Sequence, residues 1–395
     1  MNIARKEDCT GCMACVDSCS RSALVPQVDL YGYYEILFDS TKCISCGLCT
    51  KTCPVVTKVS NITKKSTPYA VWNNNKELRS KSASGGAFSA LALRVLQEGG
   101  VVYGACIEGF DVKHKRVDSI EDLSSILGSK YQHSVTEGIF KLVRKDLKDG
   151  LSVLFCGMAC QVAGLKNFLR NTNIDKLYTI DTICGGLSTM LPMLELKNTG
   201  KYSSIISFRD KENGWQSKGF RYALKMQKID GSVENLGLDN LVLNSFSSKL
   251  LKRSSCLDCQ FTGNNRVSDC TIGDFWGDER FKEEHYDGIS VLVVHSNKIY
   301  PLIESSDLEY QDIQFEDFIY SNHNYYWNHY PLIRKFHIRQ KALNALVKGK
   351  HDIATRIIRL NSYECMWIKL YIKCKILFRK FFMIKNTRKF SFKSN

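Results

Sequence analysis

No apolar stretch in this sequence is long enough to cross a membrane, and no apolar h-region follows the opening Met1-Asn2-Ile3-Ala4-Arg5-Lys6-Glu7-Asp8-Cys9. A bilayer needs about 20 consecutive apolar residues, so no transmembrane helix is expected, and no secretory leader. The eight histidines fall in no H-x3-H or HExxH arrangement, which removes the familiar zinc-hydrolase signatures. Nothing points to Ser/His/Asp catalysis. No nucleic-acid-binding motif accompanies the basic residues, so no nucleic-acid partner is expected. No long-period repeat runs through the middle of the chain.

What the chain does have is cysteine, 17 in 395 residues. Disulfide frameworks belong mostly to short secreted chains. This chain is long and shows no leader, so the reading is a reducing, cytoplasmic compartment with thiolate ligands. The length exceeds one ordinary domain, and two or three are expected. The net charge of +15 is uneven. Residues 1–60 carry six Lys/Arg and six Asp/Glu, whereas residues 351–395 carry eleven Lys/Arg against two acids. The basicity is therefore mainly a property of the C-terminal tail.

Cys9, Cys12, Cys15 and Cys19 form C-x2-C-x2-C-x3-C, and Cys43, Cys46, Cys49 and Cys53 repeat it with Pro54 behind. A cubane cluster takes four thiolates at tetrahedral corners. Three come from a tight loop, and the fourth cysteine of each run points away to the other cluster. This assigns Cys9, Cys12, Cys15 and Cys53 to one [4Fe–4S] cluster and Cys43, Cys46, Cys49 and Cys19 to a second. A pair of zinc knuckles is the competing reading, and the doubled eight-cysteine spacing disfavours it. Ser20 stands where the first run often has proline, a residue that shapes the turn and ligates nothing.

The expected architecture is an α+β ferredoxin-like module over residues 1–57, a linker over 58–67, an α/β domain with a mixed sheet over 68–310, and a mostly helical basic tail over 311–395. In the α/β part, Tyr69–Trp72 reads as a strand. Ser82-Ala83-Ser84-Gly85-Gly86 is a Gly-rich turn opening a helix over Ala87–Gln97, and Val101-Val102-Tyr103 begins the next strand, which makes a βαβ-like unit. A second unit follows, with a helix over Val135–Leu147, a strand at Ser152–Phe155, a Cys/Gly turn, a helix near Val162–Leu169 and a strand at Leu177–Ile180.

Several stretches resemble the beta subunit family of coenzyme F420 hydrogenases and dehydrogenases. They are Ser84-Gly85-Gly86-Ala87-Phe88-Ser89, Gly128-Ser129-Lys130-Tyr131, Leu154-Phe155-Cys156-Gly157-Met158-Ala159-Cys160-Gln161, Asp181-Thr182-Ile183-Cys184-Gly185-Gly186, Phe208-Arg209-Asp210-Lys211, Cys256-Leu257-Asp258-Cys259 and Thr271-Ile272-Gly273-Asp274-Phe275-Trp276-Gly277. The resemblance spans about residues 1–300 and rests on the order and number of these motifs. It implies an iron–sulfur flavoprotein oxidoreductase. Electrons would pass between clusters, FAD and a hydride-accepting deazaflavin or another small molecule, with a redox partner protein or subunit. Some similar proteins are associated with surface polysaccharide synthesis. The competing reading is a non-catalytic, polyferredoxin-like electron carrier serving a partner enzyme. Two departures fall beside the implied active region. Met158-Ala159 stand where the family tends to have Thr-Pro, and Gly185 where a histidine is common.

Cys160, Cys184, Cys256 and Cys259 match positions of the family pattern. Cys160 and Cys184 follow expected parallel strands, and Cys256-x2-Cys259 is a metal-spaced pair, so a third site is expected that takes a [4Fe–4S] cluster or zinc. The bland alternative is buried thiols acting as small hydrophobes. Cys106, Cys156, Cys270, Cys365 and Cys374 are read as structural. Ser84, Gly85 and Gly86, at a strand-to-helix turn, are expected to approach a flavin pyrophosphate or ring. Lys130 and Arg209 would supply charge to phosphate, or else are plain surface cations. In the tail, Trp367, Ile368, Tyr371, Ile372, Phe378, Phe381 and Phe382 interleave with Lys369, Lys373, Lys375, Arg379, Lys380 and Lys385. That pattern suits peripheral contact with the inner face of a membrane, or a terminal helix docking on protein.

Overall fold

The computed structural model describes residues 3–59, 66–209, 211–215, 224–237, 240–276, 279–319, 321–326 and 336–360. The interleaved basic and aromatic residues of the tail lie outside them, as do Asp210 and Gly277 of the quoted motifs.

The N-terminal part holds two short helices, α1 (Ala14–Ser18) and α2 (Leu48–Thr52), around an antiparallel hairpin of β1 (Leu24–Val28) and β2 (Tyr34–Phe38). Each cysteine run wraps into the start of one helix. Helix α3 (Lys76–Lys81) and helix α4 (Ala87–Gln97) follow β3 (Thr67–Asn73). Then come β4 (Val101–Glu108), β5 (Asp111–Val117), β6 (Ser134–Val135) and helix α5 (Ile139–Lys148). Strand β7 (Val153–Met158) leads into helix α6 (Ala159–Phe168), and β8 (Leu177–Thr182) follows. The remaining strands are β9 (Tyr202–Ser207), β10 (Lys225–Lys228), β11 (Val233–Asn235), β12 (Cys270–Asp274), β13 (Ser290–Val294) and β14 (Leu308–Asp312).

Nine strands form one mixed sheet in the order β14-β3-β13-β12-β8-β7-β4-β5-β6, with β4, β7, β8 and β12 parallel. Strands β9 to β11 form a separate antiparallel sheet. The central strands read as unbroken apolar runs, such as Val153-Leu154-Phe155, because they are covered on both faces. One face packs Leu91, Val95 and Leu96 of α4, and the other packs Phe140 and Val143 of α5 with Val162 and Leu165 of α6.

The expected elements hold with three adjustments. The βαβ-like unit exists, but β3 and β4 are separated by β13, β12, β8 and β7, so the α4 connection spans the sheet. The helix expected from Val135 begins at Ile139, because Ser134–Val135 pair with β5 and Gly138, at φ +81°, turns the chain into the helix. Strand β7 runs on to Met158 and α6 starts at once, with the Gln161 side-chain oxygen accepting the Met158 N–H at 3.0 Å. Cys160 thus sits on a first helical turn rather than in a loop. Hairpin strand β5 was not foreseen. Beyond the sheet, the described C-terminal residues are largely helical. Residues 336–347 and 351–360 pack Ala342, Leu343, Leu346, Ala354 and Ile358 against Leu250 and Leu251.

The N-terminal part is seated on α5 and α6. Asp17 of α1 accepts backbone N–H bonds from Gly138 at 2.6 Å and Phe140 at 2.9 Å, and so caps α5 from outside. Thr136 donates to the Cys12 carbonyl at 2.9 Å, and Asn167 to the Thr57 carbonyl at 2.6 Å. Gly164 of α6 allows the approach, since a β-carbon there would lie 2.9 Å from the Cys12 sulfur and 3.1 Å from the Ala14 β-carbon.

Candidate iron–sulfur and cofactor site

The first cluster-forming group is compact. The charges nearest the buried Cys12 thiol, besides its own desolvation, come from Cys9 and Cys53, and those nearest Cys15 from Cys12, Cys9, Cys53 and Cys49. Cys9, Cys12, Cys15 and Cys53 thus lie near one another, as the expected grouping requires, with Cys15 also facing Cys49 of the second run. Burial pushes the Cys12 thiol up to about 12, so the free protein holds it protonated and metal binding must displace the proton. Cys15, Cys19 and Cys49 pack together around Met13, Val16 and Leu24. The Ala23 N–H donates to the Cys19 sulfur at 3.3 Å and the Ser45 N–H to the Cys43 sulfur at 3.4 Å. Cys46 is the one exposed cysteine among the described residues.

Cys160, Cys184, Cys256 and Cys259 come together across nearly a hundred residues of chain. Sheet register explains half of it. Met158 at the end of β7 pairs with Thr182 at the end of β8. Cys160 and Cys184 each lie two residues past that pair, so they emerge side by side at the same sheet edge. The Cys256–Cys259 segment crosses in front of them. All four line one small cavity of about 30 Å³, together with Met158, Gly186, Leu187 and Arg266. The charges acting on the buried Cys160 thiol, after desolvation, are those of Cys259, Cys12, Cys184 and Cys256. Main-chain N–H groups already point at two of the sulfurs, Gly186 at Cys184 (3.3 Å) and Leu187 at Cys256 (3.5 Å). Among the described residues, no three His, Cys, Asp or Glu side chains close on a single point tightly enough for one metal ion. The four thiols instead frame a space, with amide donors and the Arg266 cation around it. A soft, all-thiolate, hydrogen-bonded set of this kind fits an iron–sulfur cluster.

Cys12 sits between the two groups. It shares a buried cluster with Cys160 and Cys259, and its loop is pinned to the third group, since Arg253 and Ser255 both donate to the Cys9 carbonyl, at 2.5 Å and 2.9 Å.

On the far side of Cys184 lies a second cavity, of about 270 Å³ and lined mainly by apolar atoms. Cys184, Met158, Gly186 and Leu187 line both cavities, so one wall separates them. The larger cavity is closed by the Ser82–Ala87 turn, the Leu127–Gln132 segment, Gly157 and Phe246. Of the residues expected to hold a flavin, Ser84, Gly86 and Lys130 line it. No side chain caps the first turn of α4, whose N-terminus opens on this cavity. The turn is braced from behind, where the Ser89 hydroxyl donates to the Gly86 carbonyl at 2.8 Å and the Asn73 amide donates to Ser89 at 3.1 Å. Lys130 donates to the Leu127 carbonyl at 2.6 Å, and burial lowers its ammonium to about 8.

The other two expected flavin residues stand off the cavity. Gly85 packs against the β3 and β13 backbone, where a β-carbon would come within 2.4 Å of the Val71 carbonyl oxygen. Arg209 is buried in an ion pair with Asp274 at 3.0 Å and lies over the Trp276 ring. Both positions of departure, Met158 and Gly185, line the larger cavity. Sequence reasoning missed Phe246 and Gln132 as wall residues, and no local pattern marks them, whereas Gly157 and Met158 lie in a resembled motif, with Met158 one of its departures.

Two family models match the chain. Residues 150–317 match the C-terminal domain of the coenzyme F420 hydrogenase/dehydrogenase beta subunit, and residues 8–57 match a 4Fe-4S dicluster domain. Among solved structures, a chain of the F420-reducing [NiFe] hydrogenase complex from Methanosarcina barkeri is 16% identical. The likeness covers 73% of this chain and 90% of that one at a TM-score of 0.43.

Proposed function

We propose that this chain, an iron–sulfur protein carrying the C-terminal domain of the coenzyme F420 hydrogenase/dehydrogenase beta subunit behind a 4Fe-4S dicluster domain, works as a redox subunit with a continuous path from its surface to a flavin cavity. The observation that carries the reading is the double role of Cys184, which lines both the four-cysteine cavity and the larger one beside it. Cys9, Cys12, Cys15 and Cys53 hold one [4Fe–4S] cluster, Cys19, Cys43, Cys46 and Cys49 a second, and Cys160, Cys184, Cys256 and Cys259 a third. Exposed Cys46 marks the entrance, Cys49 beside Cys15 the first junction, and Cys12 beside Cys160 the second. In the larger cavity the N-terminus of α4 and the Lys130 ammonium bind the anionic part of FAD, and the Gly157–Met158 wall supports its ring. When bound, a flavin converts one-electron traffic into hydride exchange with a small molecule. The chain's own contribution is to exclude water, orient the ring against the Cys184 wall, and place the Lys130 cation, which burial lowers to about 8, against the anionic part. A carrier that only relays electrons needs no such cavity, which favours the enzyme over the polyferredoxin-like reading. A subunit of this kind works with a redox partner, and a role in surface polysaccharide synthesis would lie in the identity of the small molecule.

The test is anaerobic reconstitution of the full chain with iron, sulfide and FAD. About twelve irons per chain and one released FAD are expected, since each cubane holds four irons. Replacing Cys184 with serine should leave about eight. A well-folded chain with a full complement of iron and no flavin under any condition would leave only the carrier.

A further inference from the structure

Lys211 closes the Phe208-Arg209-Asp210-Lys211 motif. It stands off the larger cavity, yet it grips that cavity's wall from behind. Its ammonium donates to three main-chain carbonyls, those of Arg79 at 2.6 Å, Ser84 at 2.5 Å and Asp287 at 2.6 Å. An ammonium has three N–H donors and no acceptor, so this set uses all of them. The carbonyls come from three separate segments: helix α3, the Ser82–Ala87 turn and the stretch before β13. Of the three residues, Ser84 lines the larger cavity. The loop that carries Lys211 is itself fixed. Its carbonyl accepts the Gly214 N–H at 2.9 Å, the Trp215 N–H donates to the Tyr286 carbonyl at 2.8 Å, and the Trp215 ring stacks on Trp276 at 3.9 Å. Gly288, at φ +92°, permits the close approach, since a β-carbon there would stand 3.0 Å from the Ser84 carbonyl carbon. At the other end of the motif, Phe208 packs edge-on against Tyr131 of the cavity wall, with ring centres 6.1 Å apart.

We propose that Lys211 is a positioning residue for the cofactor, holding the Ser84 turn so that the N-terminus of α4 stays aimed at the anionic part of the flavin in the larger cavity. This rests on the flavin reading above. Three carbonyl oxygens that converge on one point repel one another, and a cation between them turns that repulsion into attraction. The other bonds that hold the turn are neutral: the Ser84 and Ser290 hydroxyls pair at 2.7 Å, and the Asn73 N–H donates to the Gly85 carbonyl at 2.7 Å. Hydrogen bonds from a charged donor are about twice as strong as neutral ones. They also tie the turn to α3 and to the Asp287 segment at once, which the neutral bonds do not. Arg79 fastens the same segment from the other side, donating through Nε and Nη2 to the Gly288 carbonyl and through Nη1 to Glu284. Removing the Lys211 charge therefore frees the Ser84 carbonyl first, and α4 begins three residues further on.

The test uses the full chain, reconstituted anaerobically with iron and sulfide. It compares wild type with Lys211→Met, which keeps the reach and loses the charge, and Lys211→Arg, which keeps the charge. Burial, and then the Arg79 charge, lower the Lys211 ammonium to about 7, so the assays are run at about pH 6, where it holds its proton. Two quantities are read: the Kd for FAD, by titration of flavin fluorescence, and hydrogen exchange over residues 82–90 before flavin is added. Lys211→Met should raise the Kd about ten-fold or more and speed exchange at the turn by a similar factor. Its iron count and its exchange over α5 should match wild type, and Lys211→Arg should return both readings to within about three-fold of wild type. An unchanged Kd, or a raised Kd without faster exchange at the turn, overturns the proposal. So does a Kd in Lys211→Arg as weak as in Lys211→Met, because the charge would then not matter. Wild-type protein that holds its iron and binds no FAD sinks the flavin reading, and the proposal with it. Should Lys211→Met lose iron, Lys211→Gln is measured in its place. Loss of iron in the Gln and Arg variants as well makes Lys211 a general prop of the fold and overturns the proposal.

Discussion

Asp17 gives the sharpest test of how the N-terminal part is held. Its carboxylate accepts two main-chain N–H groups at the start of α5, at 2.6 and 2.9 Å, and it is almost completely buried. Replacing it with alanine leaves both donors without acceptors in a dry site. Hydrogen bonds to a charged group contribute about 1.5–3 kcal/mol each. Burial works against the charge, raising the carboxyl above its ordinary range, so the net loss is set at about 2–4 kcal/mol for the pair. At about 1.4 kcal/mol per decade, that corresponds to roughly thirty- to a thousand-fold faster exchange at the Gly138 and Phe140 amides if exchange follows local opening. Anaerobic hydrogen-exchange mass spectrometry over the α5 peptide reads it directly. Asp17→Asn keeps one acceptor oxygen and should lie between wild type and Asp17→Ala. Exchange within about three-fold of wild type in Asp17→Ala would refute the reasoning, because the cap would then carry no load.

Gly164→Ala places a methyl 2.9 Å from the Cys12 sulfur and should cost about 1–3 kcal/mol by overpacking, seen as a lowered urea midpoint; an unchanged midpoint would mean that α6 and the Cys12 loop separate freely. Burial lowers His114 to about 4, His133 to about 3 and His295 to about 4. A histidine kept neutral in the fold and titrating near 6.5 when unfolded contributes stability above that value and loses it as pH falls, at up to about 1.4 kcal/mol per pH unit per histidine. Thermal melts from pH 7.5 down to 5 should therefore show stability falling below about pH 6.5, and His295→Gln should flatten the slope. For the tail, truncation is best made after Leu360, because Ala354 and Ile358 belong to a buried cluster. Full-length protein should bind anionic vesicles in a salt-sensitive way and the truncated form should not; equal binding would assign the tail to protein docking.

The eight N-terminal cysteines were legible because their chemistry is written in local spacing. That Cys160, Cys184, Cys256 and Cys259 line one cavity was expected from motif resemblance, from two strand ends and from the Cys256-x2-Cys259 spacing. Cys160 and Cys184 are 24 positions apart, and what unites them is the β7–β8 register, which no local pattern encodes. Helix α4 and the central strands followed from periodicity and the Gly-rich turn. The start of α5 did not, because its cap, Asp17, lies 121 residues away in another part of the chain. Arg209 shows the same limit from the other side. As a sequence feature it is a cation near a turn, and only the fold reveals that Asp274 consumes its charge.

The junctions matter more than the individual sites. Strand ends β7 and β8 supply Cys160 and Cys184 to one cavity and Gly157, Met158, Thr182 and Gly185 to the other. A substitution at this edge therefore acts on both. Of the two places where the sequence leaves the resembled pattern, Met158 falls on the shared wall and Gly185, next to Cys184, on the larger cavity alone. At Gly185 a β-carbon would stand 3.4 Å from the Phe246 ring, in contact with it, so any side chain at this position is placed against that ring. Phe246 is in turn held by Tyr131, at 4.5 Å between ring centres, next to Lys130. Gly185, Phe246 and Tyr131 thus form one packed unit at the Cys184 end of the cavity. The shape available to any molecule approaching that end is set by this unit rather than by residue 185 alone.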